Sequence, residues 1–194
     1  MDQVLLSFPN SLACDIIPLM NSERIVHDIF TKRRLTLASA ESCSGGLISH
    51  RITDIPGSSE YFKGGVVAYS NDVKIALLNV PRKLIQNCGA VSPEVAAAMA
   101  IGARKALRAD VAVSVTGIAG PAGATYGKPV GLAYIAVAAE DGARTEKVNF
   151  KGSRAEVKEK FAEAALGLLV ETMKRGKGIG RGKGVAMGKK IEGR

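Results

Sequence analysis

Apolar positions along the chain switch between a helical period and an alternating one. In "NSERIVHDIFTKRR", Ile25, Val26, Ile29 and Phe30 recur on one helical face, with Asn21 or Ser22 as cap, and the run leads into a strand-like "LTLASA". After "AESCSGG", the segment "LISHRITDI" reads as a short helix that stops before Pro56, because the residue preceding a proline avoids helical backbone. "VVAYS", Val66 to Ser70, reads as a strand, and "NDVKIALLNV" opens a helix capped by Ser70 or Asn71. The clearest helix runs from about Pro93 to Leu107, where a serine cap, a first-turn proline and alanine-rich sequence agree. Three further strand-like runs follow, "VAVSVT", "VGLAYIAVAA" and "RTEKVNF", and the last two, separated by "EDG", are expected to form a hairpin. Ser153 and Glu156 make a capping-box pattern at the head of the amphipathic helix that closes the body.

Helices alternating with strands, plus a hairpin, predict an α/β fold: a single-domain three-layer α/β/α sandwich around a mixed sheet. Apolar residues make up 46% of the 194, aromatics only 5%, and there is no Trp, so the core must be built from Ala, Val, Ile and Leu. Residues 1–20 read as an N-terminal extension, 21–173 as the domain, and 174–194 as a basic glycine-rich tail. That tail alternates glycine with charge and buries too little apolar surface to offset its ordering entropy, so disorder is expected. Its last four residues, Ile191 to Arg194, match a protease site used in expression vectors, and part of the tail is read as vector-derived.

Charge changes the picture less than its total suggests. The net charge is +9, but Lys174 to Arg194 holds eight cations against Glu192 alone, leaving only two net positive charges for everything else. The body therefore carries no electrostatic footprint for a polyanion, and nucleic acid is expected to bind at most nonspecifically, through the tail. Cys14, Cys43 and Cys88 are odd in number and widely spaced, with no C-x-x-C and only His27 and His50 beside them. Neither a disulfide framework nor a Cys/His metal site fits, and a reducing, cytoplasmic setting is expected. The opening twenty residues read as neither signal peptide nor membrane span, so no membrane association is expected.

Candidate chemistry gathers at strand ends. "AESCSGGLI" has the form strand, sharp turn, helix, which exposes a nucleophile beside the orphan amides and positive end of a helix. Taken alone, it fits a plain turn and cap equally well. With His27 and His50 both resembling ordinary helix residues, a Ser-His-Asp triad is unattractive. A lysine can act as base instead if its pKa is drawn from about 10.4 toward 7 to 8, a shift costing roughly 3 to 5 kcal/mol. Lys74 is a candidate, in the first turn of a helix whose dipole opposes a cation there, although a surface lysine reads the same way. "TGIAGPAG", Thr116 to Gly123, and "GAVS", Gly89 to Ser92, are further loops at strand or helix ends, either ligand-binding or merely turns. Arg154, just ahead of the last helix, could clamp a phosphate or stand solvated.

Together "AESCSGG", "GSSEYFKGGVVAYSNDVK", "GAVS", "VSVTGIAGPAG" with "KPVG", and "FKGSR" resemble, in order and spacing, the C-terminal domain of the CinA family, from about Ser22 to Lys174. Active members are nicotinamide-nucleotide amidohydrolases, converting nicotinamide mononucleotide and water to nicotinic acid mononucleotide and ammonia. The family's other, N-terminal domain has no counterpart here, so the resemblance implies the stand-alone deamidase form. It further implies Ser42 as nucleophile, with Tyr69 and Lys74 completing a Ser-Tyr-Lys site that needs neither metal nor cofactor. Ser44 then takes a hydrogen-bonding or turn role, Cys43 is a small buried filler, and backbone N–H groups from Ser44 through Gly45 to Gly46 are expected to hold an oxyanion. Phosphate recognition is assigned to Arg154 and the Thr116–Gly117 loop, with Asn71 as a polar contact. A homo-oligomer is expected, as is common in the family.

Two other readings compete. One is a catalytically silent CinA-like module that binds nucleotides or associates with DNA, and the other is a Ser-Lys hydrolase acting on a different amide. Ser42, Tyr69 and Lys74 argue against a silent module, and the small body charge argues against DNA.

Overall fold

A computed structural model of the chain describes residues 22–175. The N-terminal extension with Cys14, and the glycine-rich tail beyond Arg175, lie outside the described residues. The elements run α1 (Ser22–Arg33), β1 (Leu37–Glu41), α2 (Leu47–Thr53), β2 (Phe62–Val67), α3 (Asn71–Leu78), α4 (Arg82–Cys88), α5 (Pro93–Ala106), β3 (Val111–Gly117), β4 (Leu132–Ala139), β5 (Gly142–Asn149) and α6 (Arg154–Arg175), with one 3₁₀ turn at Ser58–Glu60. The five strands form a mixed sheet in the order β2-β1-β3-β4-β5. β1 lies parallel to β2 and β3, while β3–β4 and β4–β5 are antiparallel, the latter being the expected hairpin.

Strand alternation decides what each face of the sheet can hold. Leu37, Val111, Val113, Val115, Ile135 and Val137 point to one side and pack with Val26 and Phe30 of α1, Ile48 and Ile52 of α2, and the Phe161 side of α6. Residues of opposite parity are small. Ala38, Ala40 and Ala112 face the second side, with Leu78 of α3 and Val95, Met99 and Ala103 of α5, while Ala136 and Ala138 meet Ala96 and Ala100. Small side chains on both partners let α5 settle close to the sheet, where the Ser114 hydroxyl donates to the Ala96 carbonyl at 2.6 Å. The result is the α/β/α sandwich, with α1, α2 and α6 on one side and α3, α4 and α5 on the other.

Several expected boundaries shift, each for a local reason. The "VVAYS" strand is corrected to Phe62–Val67: β2 begins four residues earlier, and Ala68, Tyr69 and Ser70 lie past its end. Its start is hidden because Gly64 and Gly65 depress strand propensity. Gly65 is there for clearance, since a Cβ would stand 2.3 Å from Ser39 Oγ and 2.4 Å from Ser49 Oγ. β1 runs on through Glu41, which is fully buried. Ser22, read as a cap, is the first helical residue, and its hydroxyl donates to Glu163 of α6 at 2.7 Å. α4 gives no periodic signal because none of its seven residues is fully buried. The caps at Ser70 and Ser92 and the Ser153–Glu156 capping box are formed.

Close approach also fixes Gly102 of α5, where a Cβ would lie 2.0 Å from the carbonyl oxygen of Leu78 at the end of α3. Alanine is the better helix former by about 1 kcal/mol, yet here backbone has to move to admit it. Gly102→Ala is expected to destabilise the domain by about 1 to 3 kcal/mol, as read from the urea-unfolding midpoint.

Candidate functional site

The three parallel strands end at one edge of the sheet, and the candidate residues collect there. In sequence the chain passes from β1 to β2 on one side of it, then to β3 on the other, which makes the gap between the carboxyl ends of β1 and β3 the topological switch point where such sheets bind ligands. Ser42 sits in that gap. Its amide donates to the Val115 carbonyl of β3 at 3.1 Å, and the Ala68 amide, just past β2, donates to the Glu41 carbonyl at 2.8 Å. The first residue after β1 is thus tied to both neighbouring strands.

Lys74 reaches this point from α3. Ser70 caps the helix through Val73 N at 3.2 Å, which places Lys74 in the first turn with its side chain turned inward and 2% exposed. Its Nζ lies 3.1 Å from Ser42 Oγ, 2.8 Å from the Ala68 carbonyl and 3.3 Å from the Tyr69 carbonyl. No carboxylate among the described residues pairs with it. Burial therefore holds the Lys74 amine below the ordinary lysine range, and the Cys43 sulfur opposes that shift only where it is ionised. That sulfur is itself a protonated thiol at neutral pH, since burial pushes it up to about 12. Cys43 packs in the core against the α2 and α6 side, an inert neighbour of Ser42.

The turn after Ser42 is organised by Glu41. This carboxylate is fully buried and accepts five hydrogen bonds: Oε2 from Ser44 Oγ at 2.7 Å, Gly46 N at 2.9 Å and Ile48 N at 3.1 Å, and Oε1 from Ser49 N at 2.8 Å and Ser49 Oγ at 2.7 Å. Since the Ser49 hydroxyl is already donating, the 2.8 Å contact between Ser39 Oγ and Ser49 Oγ is a donation from Ser39. Glu41 thereby satisfies the orphan amides that open α2 and meets the positive end of its dipole. Gly45 and Gly46 have φ of +66° and +100°, so the turn between Ser42 and α2 needs residues without a Cβ.

This arrangement redistributes several expected roles. The Gly46 amide is taken by Glu41 and the Gly45 amide by the Ser42 carbonyl at 3.2 Å, so neither is free for an oxyanion. The Cys43 and Ser44 amides adjoin Ser42, have no oxygen acceptor among the described residues, and lie toward the Cys43 sulfur. The Ser44 side chain, fully buried, serves Glu41. The Thr116 hydroxyl, 1% exposed, donates to the Ala90 carbonyl at 2.8 Å, anchoring the "GAVS" turn to β3. Gly117 packs against Ala133 and the Leu132 carbonyl, where a Cβ would meet atoms at 2.5 and 2.6 Å. Thr116 and Gly117 are structural in this geometry, not open phosphate contacts. Asn71 is exposed at the start of α3.

Tyr69 contributes in two separable ways. Its main-chain carbonyl faces Lys74, whereas its side chain is 61% exposed and its phenol accepts from Arg154 Nη2 at 2.9 Å. The phenol does not bridge Ser42 and Lys74. Arg154 also donates from Nη1 to the Gly120 carbonyl at 2.7 Å, joining the start of α6 to the loop after β3.

With this geometry in view, comparison with known proteins decides the family. The CinA C-terminal domain model matches residues 20–173. The chain belongs to this family. A putative competence-damage inducible protein of Halothermothrix orenii is 61% identical over 127 residues, and a CinA-like protein of Desulfotalea psychrophila is 53% identical over 146. Those alignments cover 65% and 75% of this chain but 31% and 35% of the relatives, so the chain spans about a third of the curated relatives' length. Among solved structures, the competence/damage inducible protein CihA of Agrobacterium tumefaciens superposes with a TM-score of 0.75 at 38% identity, covering 80% of this chain and 96% of that one. A CinA superfamily protein of Enterobacter cloacae gives 0.78 at 26% identity, covering 86% and 99%.

Glu41 is the residue of this CinA domain that sequence reading passed over. A glutamate ending a run of Leu, Ala and Ser gives no periodic cue. The available signal was its position, immediately ahead of a helix start rich in unsatisfied donors. Glu41→Gln replaces one accepting oxygen with an NH₂ that faces donors. It is expected to cost about 2 to 5 kcal/mol in the chemical-denaturation free energy.

Proposed function

We propose that this chain is an amidohydrolase that deamidates nicotinamide mononucleotide, giving nicotinic acid mononucleotide and ammonia through an acyl-enzyme on Ser42. The observation that carries the reading is a buried lysine amine 3.1 Å from a serine hydroxyl at the switch point, with no carboxylate to keep it charged. A neutral amine has two N–H bonds and one lone pair. With the N–H bonds directed to the Ala68 and Tyr69 carbonyls, the lone pair is left for the Ser42 hydroxyl proton.

The reaction then runs within a small set of atoms. Lys74 takes the Ser42 proton as Oγ attacks the carboxamide carbon, which the pyridinium ring makes more electrophilic. The resulting ammonium has three donors, matching the Ala68, Tyr69 and Ser42 oxygens, so the proton is held without rearrangement. The Cys43 and Ser44 amides face the developing oxyanion, an effect of about 3 kcal/mol per donor. Lys74 returns the proton to the leaving nitrogen, ammonia departs, and water, deprotonated by the same amine, releases the acid from Ser42. Proton transfer is direct, and the Tyr69 phenol orients Arg154 at the mouth. A cytoplasmic location and self-association accompany this reading. The intact Ser42–Lys74 contact weighs against a silent nucleotide-binding module.

Ammonia release from nicotinamide mononucleotide is the test. Ser42→Ala and Lys74→Arg, which substitutes a cation that stays protonated, are expected to lose roughly 10³- to 10⁶-fold in kcat. Tyr69→Phe is expected to lose less than about tenfold. Full activity in Ser42→Ala would falsify the covalent route.

Activity also depends on pH with a definite sign. Lys74 must be neutral in the free enzyme, so kcat/KM is expected to rise with pH along an acid limb set below the ordinary lysine value of 10.5. The unfolded chain binds this proton more tightly than the folded one. The stability cost of Lys74 is therefore full below its folded pKa and fades as pH rises toward 10.5. A pH–rate profile without an acid limb would remove Lys74 as the base.

A further inference from the structure

Arg154 and Lys158 stand one helical turn apart on the first two turns of α6, and so share a face. They differ in how they are engaged. Arg154 is braced on the Gly120 carbonyl and the Tyr69 phenol at 2.7 and 2.9 Å. Lys158 is half-buried, and among the described residues it has neither a hydrogen bond nor an ion pair. Its Nζ lies 3.5 Å, and its Cε 3.9 Å, from the point where a Cβ on Gly45 would stand. Gly45 is exposed and three residues from Ser42, so the ammonium hangs over the open rim of the nucleophile turn with its donors free.

A lysine ammonium with no protein partner beside the turn keeps all three of its donors for an anion. No carboxylate of the turn is available, because Glu41 is sealed beneath it with five donors of its own. Thr116 and Gly117 are engaged in packing, and Arg154 already serves two oxygens. We propose that Lys158 is the specificity-determining contact for an anionic group on the substrate, a phosphate monoester, which it receives over Gly45 while Ser42 attacks the amide. The identity of the amide rests on the function proposed above; the anion contact does not.

The test compares wild type, Lys158→Ala and Lys158→Arg. Ammonia release is measured with nicotinamide mononucleotide and with nicotinamide riboside, its phosphate-free analogue, and ribose 5-phosphate binding is measured by calorimetry. In Lys158→Ala the nucleotide-to-riboside ratio of kcat/KM is expected to fall about 10- to 100-fold, mainly through KM for the nucleotide, with ribose 5-phosphate weakened by a similar factor. Lys158→Arg is expected to recover most of both. If the wild type releases no ammonia from either compound but Lys158→Ala still loses ribose 5-phosphate, the amidohydrolase reading fails and the anion contact stands. The proposal is overturned if Lys158→Ala leaves the ratio and the ribose 5-phosphate affinity unchanged. It is equally overturned if both amides slow together while ribose 5-phosphate binds as before, or if the wild type neither prefers the nucleotide nor binds the sugar phosphate.

Discussion

A carboxylate closed off from water beneath the turn that follows Ser42 sets the geometry of this domain. Glu41 ends β1 on the face toward α2 and accepts from two serine hydroxyls and three amides, so residues 42 to 49 are held by charge-assisted bonds in a low-dielectric setting. Without that acceptor the opening amides of α2 would be buried donors with no partner. The chain between Ser42 and the helix would lose what fixes its path. Gly45 and Gly46 make the path sterically possible, and Glu41 makes it the preferred one.

The unequal faces of the sheet explain how Lys74 comes to be buried beside that turn. The face toward α5 carries mostly alanine, so α5 lies close, and α3 packs in turn on α5 at Gly102, where no side chain fits. The start of α3 is thereby held against the ends of β1 and β2. A lysine in its first turn has the main-chain oxygens of Ala68 and Tyr69 for company and is almost fully buried. Small-residue packing on one side of the sheet is thus the structural cause of the depressed amine on the other side of Ser42. Core packing and pKa are two ends of one chain of contacts.

What the sequence discloses follows from which signals are local. The Ser70, Ser92 and Ser153 caps, the helix from Pro93 and the β4–β5 hairpin are written in adjacent residues, and all form. β2 is obscured because Gly65 answers to Ser39 and Ser49, partners from other elements, so its strand signal is given up for clearance. α4 is obscured because a helix with no fully buried residue has no apolar stripe to reveal it. At the site, Lys74 stands out in the sequence by its odd place against a helix dipole, and Ser42 and Lys74 both stand out by likeness to the family. Neither route gave the Tyr69 phenol its actual partner, Arg154, 85 residues away. Lys158 was missed for the same reason, since its significance lies in a glycine on a different element.

The glycine-rich turn also shows why a motif's donors must be counted before a ligand is assigned to them. A turn of this kind opening a helix invites a phosphate, because orphan amides and a positive dipole end meet there. Here the Gly46, Ile48 and Ser49 amides already face Glu41, so an internal anion occupies the position an external one would take. A second negative group brought to the same helix end would meet a carboxylate and find fewer donors. On the function proposed above, the substrate's charge would be received from the opposite wall, where α6 presents Lys158 beside Arg154, and the Cys43 and Ser44 amides, which have no oxygen acceptor among the described residues, would be left for charge developing at the reacting carbon. In that reading, separating the two anions keeps a permanent phosphate out of the place where a transient oxyanion would form.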